Sequence, residues 1–376
     1  MLRAAVAAVL LLALVWSVGG QSRLGRIDPA LALPLMPLPA LLLAWFQRRE
    51  EWRVRRLAIA VSLCLLLFVQ GALALVFSDR APWLQLGLVA IGWLAALLLA
   101  DAMMQWRRRG RVLRLALAVL VTAGWFAGGH LLLAALYRSS VVSGPPATML
   151  TGLPLRWSGG SDLSAMLAQG TNDDPALTAL DAAGPLRLVD SVVDNPPPPG
   201  GTLFLAHPRA LAPKELVAID AFVRSGGHAV ILADALTSWP MRHPLGDPRN
   251  PPVTSLLTPL LDHWGVTLGP APTGDPGIVS GDIDGARLRL FSAGRFQALP
   301  PTCRAYADGH IARCRVGQGE VWLVGDADLL FAPLWQPDTP WATHLRKADS
   351  IEWLGARLWP DAAGAALQPL WIGGAP

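Results

Sequence analysis

Three aspartates and one histidine stand where short apolar runs end: His207 after Thr202 to Ala206, Asp234 after Ala229 to Ala233, and Asp326 with Asp328 after Glu320 to Val324. Runs of this length and composition read as strands buried on both faces of a parallel sheet. Ligands of open α/β sheets bind outside the carboxyl ends of the strands, so these four residues form the candidate ligand-binding set. Asp and His also end strands simply because they accept turn conformations and bond to nearby backbone. Two acids with raised pKa values, facing each other across a cleft, would suit hydrolysis.

Covalent chemistry lacks its parts. An acyl-transfer elbow needs a thiol or hydroxyl at a strand-to-helix turn, a histidine to activate it and a carboxylate to orient the histidine. No Gly-x-Cys or Gly-x-Ser-x-Gly follows any of the runs. The seven histidines show no HExxH or other paired metal-ligand spacing, and no Gly-rich phosphate loop ends in Lys-Ser or Lys-Thr. The sequence therefore predicts no catalytic residue, no metal and no cofactor, and the chain is not itself an ATPase.

Cys303 and Cys314 belong to a different pattern. With Asp308-Gly309 as the central pair of a tight hairpin turn, Cys303 falls directly opposite Cys314. Counting outward from Ala307 opposite His310 makes this a hydrogen-bonded pair with Cα atoms about 5.5 Å apart, a distance that permits a disulfide. Bridging is easier at the closer, non-hydrogen-bonded pairs, so some distortion or a small bulge is expected. Such a bond persists in an oxidising compartment.

The elements that must position these residues alternate. Strand candidates are Thr148 to Trp157, Leu186 to Val193 and the three runs above. Between them, Asp174-Pro175 caps a helix, and Pro213 to Arg224 puts Leu216, Ile219 and Phe222 on one face before Gly226-Gly227 stops it. Leu256 to His263 and Arg346 to Leu358 complete the helices, and Gly277 to Arg315 reads as antiparallel hairpins turning at Asp284-Gly285 and Asp308-Gly309. Strand-helix alternation of this kind argues for one α/β domain with an open sheet.

The first 140 residues are of another kind. Apolar runs cover Leu2 to Gly20, Pro29 to Phe46, Leu57 to Phe77, Trp83 to Ala100 and Leu115 to Tyr137. Each is long enough for a helix to cross about 30 Å of hydrocarbon. Pro29, Pro34, Pro37 and Pro39 weaken the second, which reads as kinked or re-entrant. Trp45, Trp52, Trp83, Trp106 and Tyr137 fall near the run ends, where amphipathic rings sit at headgroup level. His130 reads as a packed histidine beside Gly128 and Gly129, and Asp101 as an interfacial acid.

Charge follows the same division. Of the 376 residues only 15% are charged, and residues 1–140 carry a net +10 against −6 for the rest. The acidic polar half argues against nucleic acid as a partner. Placing Arg3 and the two Arg-rich connectors, Arg48 to Arg56 and Arg107 to Arg114, in the cytoplasm leaves 11 arginines inside against 4 outside, the latter being Arg23, Arg26, Arg80 and Arg138. The first run reads as an uncleaved anchor, since four more apolar runs follow, with a cleaved signal peptide ending in the small residues Ser17 to Gly20 as the rival; either way everything after Tyr137 lies outside.

Residues Thr202 to Pro208, Leu211 to Val223 and Gly226 to Asp234, with Leu260 to Val266 and Gly317 to Asp328, resemble the extracytoplasmic domain of gliding-motility-type (GldG-like) auxiliary components of ABC transporters. The resemblance covers roughly residues 147–358 and implies a class I glutamine-amidotransferase-like α/β fold without amidotransferase chemistry. The expected architecture is an N-terminal α-helical membrane domain of about five helices over 1–138, a linker over 139–146, an α/β open-sheet domain (glutamine-amidotransferase-like or flavodoxin-like) with an antiparallel hairpin insertion over 147–360, and a tail over 361–376. The resemblance further implies a non-catalytic auxiliary or scaffolding subunit in the bacterial inner membrane. Its C-terminal domain would be periplasmic, with ABC ATPase and permease subunits and membrane lipid as partners. The alternative is an extracytoplasmic binding protein for a small molecule or envelope polymer, using the strand-end crevice.

Overall fold

The computed structural model describes residues 2–78, 80–105, 111–158, 171–241, 243–244, 246–247, 249–273 and 277–373. Trp106 and Arg107 to Arg109 lie outside the described residues. The chain divides into two compact units, one of 1–138 with 337–346 and 365–376, the other of 139–336 with 347–364.

The first unit is helical. Its elements are α1 (Leu2–Ser17), α2 (Pro37–Gln47), α3 (Trp52–Phe77), α4 (Trp83–Gln105) and α5 (Arg111–Leu136). Spans of 22 to 26 residues beginning at Leu2, Trp52, Trp83 and Leu115 are long and apolar enough to cross a membrane. The second apolar run is bent, as its prolines predict: a tight helix over Pro29–Leu35 meets α2 at 64°. Asp101 forms an ion pair with Arg55. The ring of His130 lies edge-on to Phe126 and Trp341 and places Nδ1 3.0 Å from Nε2 of His344.

Arg26 departs from the sequence reading, which counted it as a connector charge. It is fully buried, with Nη2 donating to Asp28 at 2.7 Å and Nη1 to the carbonyl of His344 at 2.6 Å, while the Tyr137 hydroxyl donates to Asp28. A guanidinium survives burial only with a carboxylate and further hydrogen bonds around it. Ile27 N donates to Leu370 O and Ile372 N to Gly25 O, so the segment around Trp371 lies alongside the one around Arg26.

The second unit is α/β. Its main sheet uses β1 (Ala147–Thr151), β2 (Leu186–Leu188), β3 (Thr202–Ala206), β4 (His228–Leu232), β7 (Cys303–Tyr306), β8 (Ile311–Val316) and β9 (Gly319–Val324), in the order β7-β8-β9-β4-β3-β1-β2. Strands β2, β1, β3, β4 and β9 run parallel, and β8 and β7 continue antiparallel. Outside the main sheet, β5 (Ile278–Ile283) and β6 (Ala286–Phe291) form a separate hairpin, and Thr267–Leu268 pairs with Phe296–Ala298. Met149, Phe204, Val230 and Val324 face a core shared with α6 (Pro175–Ala183) and α8 (Ser350–Leu358). Leu203, Leu205, Ile231 and Leu323 face the opposite core beneath α7 (Pro213–Arg224). Both faces are covered, which is why these strands lack the alternation of a half-exposed sheet.

Several boundaries differ from expectation for local reasons. The run from Thr148 breaks at Thr151, whose hydroxyl accepts from Leu153 N and donates to Ala206 O, and Pro154 supplies no donor. Arg156–Ser158 pairs instead with Thr171–Asp173. Strand β2 stops at Leu188 because Val192 N and Val193 N donate to the Glu215 carboxylate on α7 rather than to a ladder. The helices expected from Leu256 and Arg346 begin at Thr258 and Ser350. The second hairpin is no insertion: β8 pairs with β9 and extends the main sheet.

Cys303 and Cys314 are disulfide-bonded and paired in the expected register. Asp308 and Gly309 occupy the turn with φ of 53° and 85°, and His310 N donates back to Ala307 O. The pair type is the reverse of that expected. Arg315 N donates to Thr302 O and Cys303 N turns away to Pro300 O, the pattern around a non-hydrogen-bonded pair, and the Cα atoms are 4.0 Å apart. Ala307 also has positive φ, at 48°, so it leaves the ladder and the alternation starts one residue further out.

Candidate functional site

Three of the four strand-end residues converge. Asp234 follows β4 by two residues, Asp326 follows β9 by two, and Asp328 opens the next turn. Oxygens of the three carboxyls lie within 4.8 Å of one another, and all three side chains are fully buried. Gly325 permits the approach: a Cβ there would stand 2.3 Å from the Gly294 carbonyl oxygen. This lets the end of β9 run against the turn after β6, where Phe291 N donates to Asp326 at 2.7 Å.

Each acid is held by backbone donors. Asp326 accepts from Phe291 N and from Asp328 N, and Asp328 accepts from Ser238 N at 2.8 Å. Asp234 Oδ1 accepts from Leu236 N, while its Oδ2 has no hydrogen-bond partner. Among the described residues no Lys, Arg or His pairs with any of the three. Burial, and then the charge of Asp328, pushes Asp234 up to about 8; burial pushes Asp328 up to about 6. Asp326 is raised well above the usual range by burial and by both neighbours. Three buried charges of one sign this close cannot coexist uncompensated, so the set holds protons or a cation between its oxygens. Oxygen-only donors at this spacing fit a hard divalent ion in type. Strand-end position places these three acids in one candidate set; paired metal-ligand spacing does not find them because they come from two strands far apart in the chain.

His207 is not part of it. It sits in the left-handed region at φ 48°, continuing β3 by one bond from its N to Leu232 O. Its Nε2 donates to Pro252 O at 2.8 Å, its Nδ1 is buried without a partner, and burial lowers its pKa. Beside it lies an open cavity of about 270 Å³ lined by Arg209, Met241, Asp247, Asn250 and Pro252. The sequence reading also passed over Thr237 and Ser238, which cradle Asp328, and Glu215, which gathers Ser191, Val192 and Val193. Their only signal was a polar pair in the loop after a strand and an acid in the first turn of a helix.

The segment containing β3, α7, β4 and the loop after Asp234 carries the similarity to a known family. Residues 167–276 match the family described as an ABC-type uncharacterized transport system. This auxiliary transport family is matched over the part of the chain that supplies His207 and Asp234. No curated protein matches the chain. Among solved structures it is similar to an exo-β-1,4-mannosidase from Opitutaceae bacterium strain TAV5, at 13% identity and a TM-score of 0.32, over 65% of this chain and 39% of that one. It is also similar to a cytoplasmic protein from Salmonella typhimurium, at 13% identity and a TM-score of 0.31, over 58% of this chain and all of that one. The chain thus spans well under half the length of the mannosidase.

Proposed function

We propose that the protein is a non-catalytic, membrane-anchored auxiliary subunit of an ABC transport system, with a GldG-like α/β domain of glutamine-amidotransferase-like type presented on the periplasmic side. The observation that carries this reading is the family match over 167–276, in a chain whose N-terminal unit has four helices long and apolar enough to span. The strand-end acids support a structural part for the crevice: all three are buried and tied to backbone N–H groups. The domain then serves as an interaction surface, and ATP hydrolysis and permeation belong to other polypeptides.

Affinity purification of the tagged full chain from membranes, followed by mass spectrometry, tests this. An ABC ATPase and a permease are expected among the specific partners. Recovery of the chain alone, or with unrelated proteins, would reject the reading.

The alternative, a binding protein for a small molecule or envelope polymer, draws on the 270 Å³ cavity beside His207, where Arg209 and Asn250 offer polar groups. A ligand retained through purification and lost in Arg209→Ala would favour it.

A further inference from the structure

The face of the sheet formed by β7, β8 and β9 carries more positive charge than its own carboxylates offset. Arg304 stands directly across from Arg313, and Arg313 across from Trp322. Arg315, two residues along β8, shares that face. Like charges directly opposite on neighbouring strands destabilise a sheet, and here all three arginines are exposed. Arg313 is paired with Glu320. Arg304 lies over the Tyr306 ring at 5.3 Å and, like Arg315, has no carboxylate partner among the described residues.

This face opens onto a groove of about 400 Å³ between the sheet and the C-terminal end of α8, lined by His228, Arg313, Glu320, Trp322 and Arg357. The Arg357 guanidinium sits over Trp353 at 4.2 Å and over Trp322 at 4.7 Å, and its Nη2 donates to Asp284 at 2.6 Å. Its Nε is buried with no partner. The volume falls within the range of small-ligand sites.

We propose that this face binds a phosphate-bearing ligand, with the phosphate on Arg304, Arg313 and Arg315 and the remainder in the groove along Trp322. The three arginines stand at the corners of a triangle with sides of about 5.5 and 7 Å. A tetrahedral oxyanion accepts from three sides at once, whereas a carboxylate accepts in a plane, and the guanidinium fork matches phosphate oxygens in pairs. Occupation converts the cross-strand repulsion of Arg304 and Arg313 into attraction to a shared anion. The site is distant in the fold from the strand-end acids, since it lies at the opposite end of β4 and β9, and it stands whether or not an ABC partner is found.

The full chain in nanodiscs of phosphatidylcholine alone provides the test, titrated with inorganic pyrophosphate by calorimetry. Binding is expected to weaken about tenfold or more in each of Arg304→Gln and Arg315→Gln. Arg304→Gln removes a like charge across from Arg313, so its melting temperature without ligand should hold or rise, which separates lost binding from lost folding. Arg315 stands across from Glu320, so Arg315→Gln is read beside it. The source of the phosphate is read with vesicles of phosphatidylcholine doped with phosphatidylglycerol. Capture of the nanodiscs that pyrophosphate reverses assigns a lipid headgroup, and pyrophosphate binding without capture assigns a soluble phosphate ester. No pyrophosphate binding at low ionic strength, or equal binding by wild type and both variants, overturns the proposal. Displacement of pyrophosphate by an equal charge of oligoglutamate overturns it in favour of an acidic peptide.

Discussion

At the scale of residues, the strand-end acids make the folded domain sensitive to pH. Asp234 and Asp328 bind protons up to about 8 and about 6 in the folded chain, against about 3.9 for an unperturbed aspartate. The native state therefore holds more protons than the unfolded one between those values. The cluster's contribution to stability is whole below about pH 4 and is lost as the pH rises through 6 and 8. Asp234→Asn keeps an acceptor for Leu236 N and removes the charge that repels Asp328. Thermal melts of the full chain should show this variant gaining on wild type as the pH rises, by several kcal/mol once it has passed about 8. Loss of stability at every pH would mean that the ionised carboxylate is itself used, as by a bound cation.

Elements depend on a few close approaches and one covalent tie. Gly325 lets β9 pass the turn at Gly294 with no room for a methyl group. Gly325→Ala must displace backbone, not a flexible side chain, and is expected to cost about 2–4 kcal/mol and to loosen Asp326 from Phe291 N. Chemical denaturation measures the first effect and amide exchange at Phe291 the second. The Cys303–Cys314 bond closes a short loop, so its loss in the double Ser variant should cost no more than about 2–3 kcal/mol. Non-reducing peptide mapping of the native protein should recover the two cysteine peptides linked; two free, alkylatable thiols would contradict the bond and weaken the case for an oxidising compartment.

For the whole molecule, orientation rests on arginine asymmetry. Reporter fusions after Arg56 and Arg111 should read as cytoplasmic and a fusion after Ser140 as extracytoplasmic; a cytoplasmic signal at Ser140 would reverse the placement. Much of this plan was legible in the chain itself. Apolar runs, prolines at 29 to 39, the Asp174 cap, the Pro213–Arg224 helix and the Asp-Gly turns each act within one element. Their physics is local: hydrocarbon length, a missing donor, a cap, a positive φ. Residue spacing even fixed the register of Cys303 against Cys314, because a hairpin propagates its turn geometry along both strands. The pair type escaped it, since Ala307 also adopts positive φ, which no residue preference signals. Tertiary structure alone decided that Asp234 meets Asp326 and Asp328 while His207 turns to Pro252, that Arg26 is buried on Asp28, and that Arg304, Arg313 and Arg315 share one face beside a groove. Those outcomes depend on strand order and on backbone donors from distant loops, and neither is written in the residues that meet.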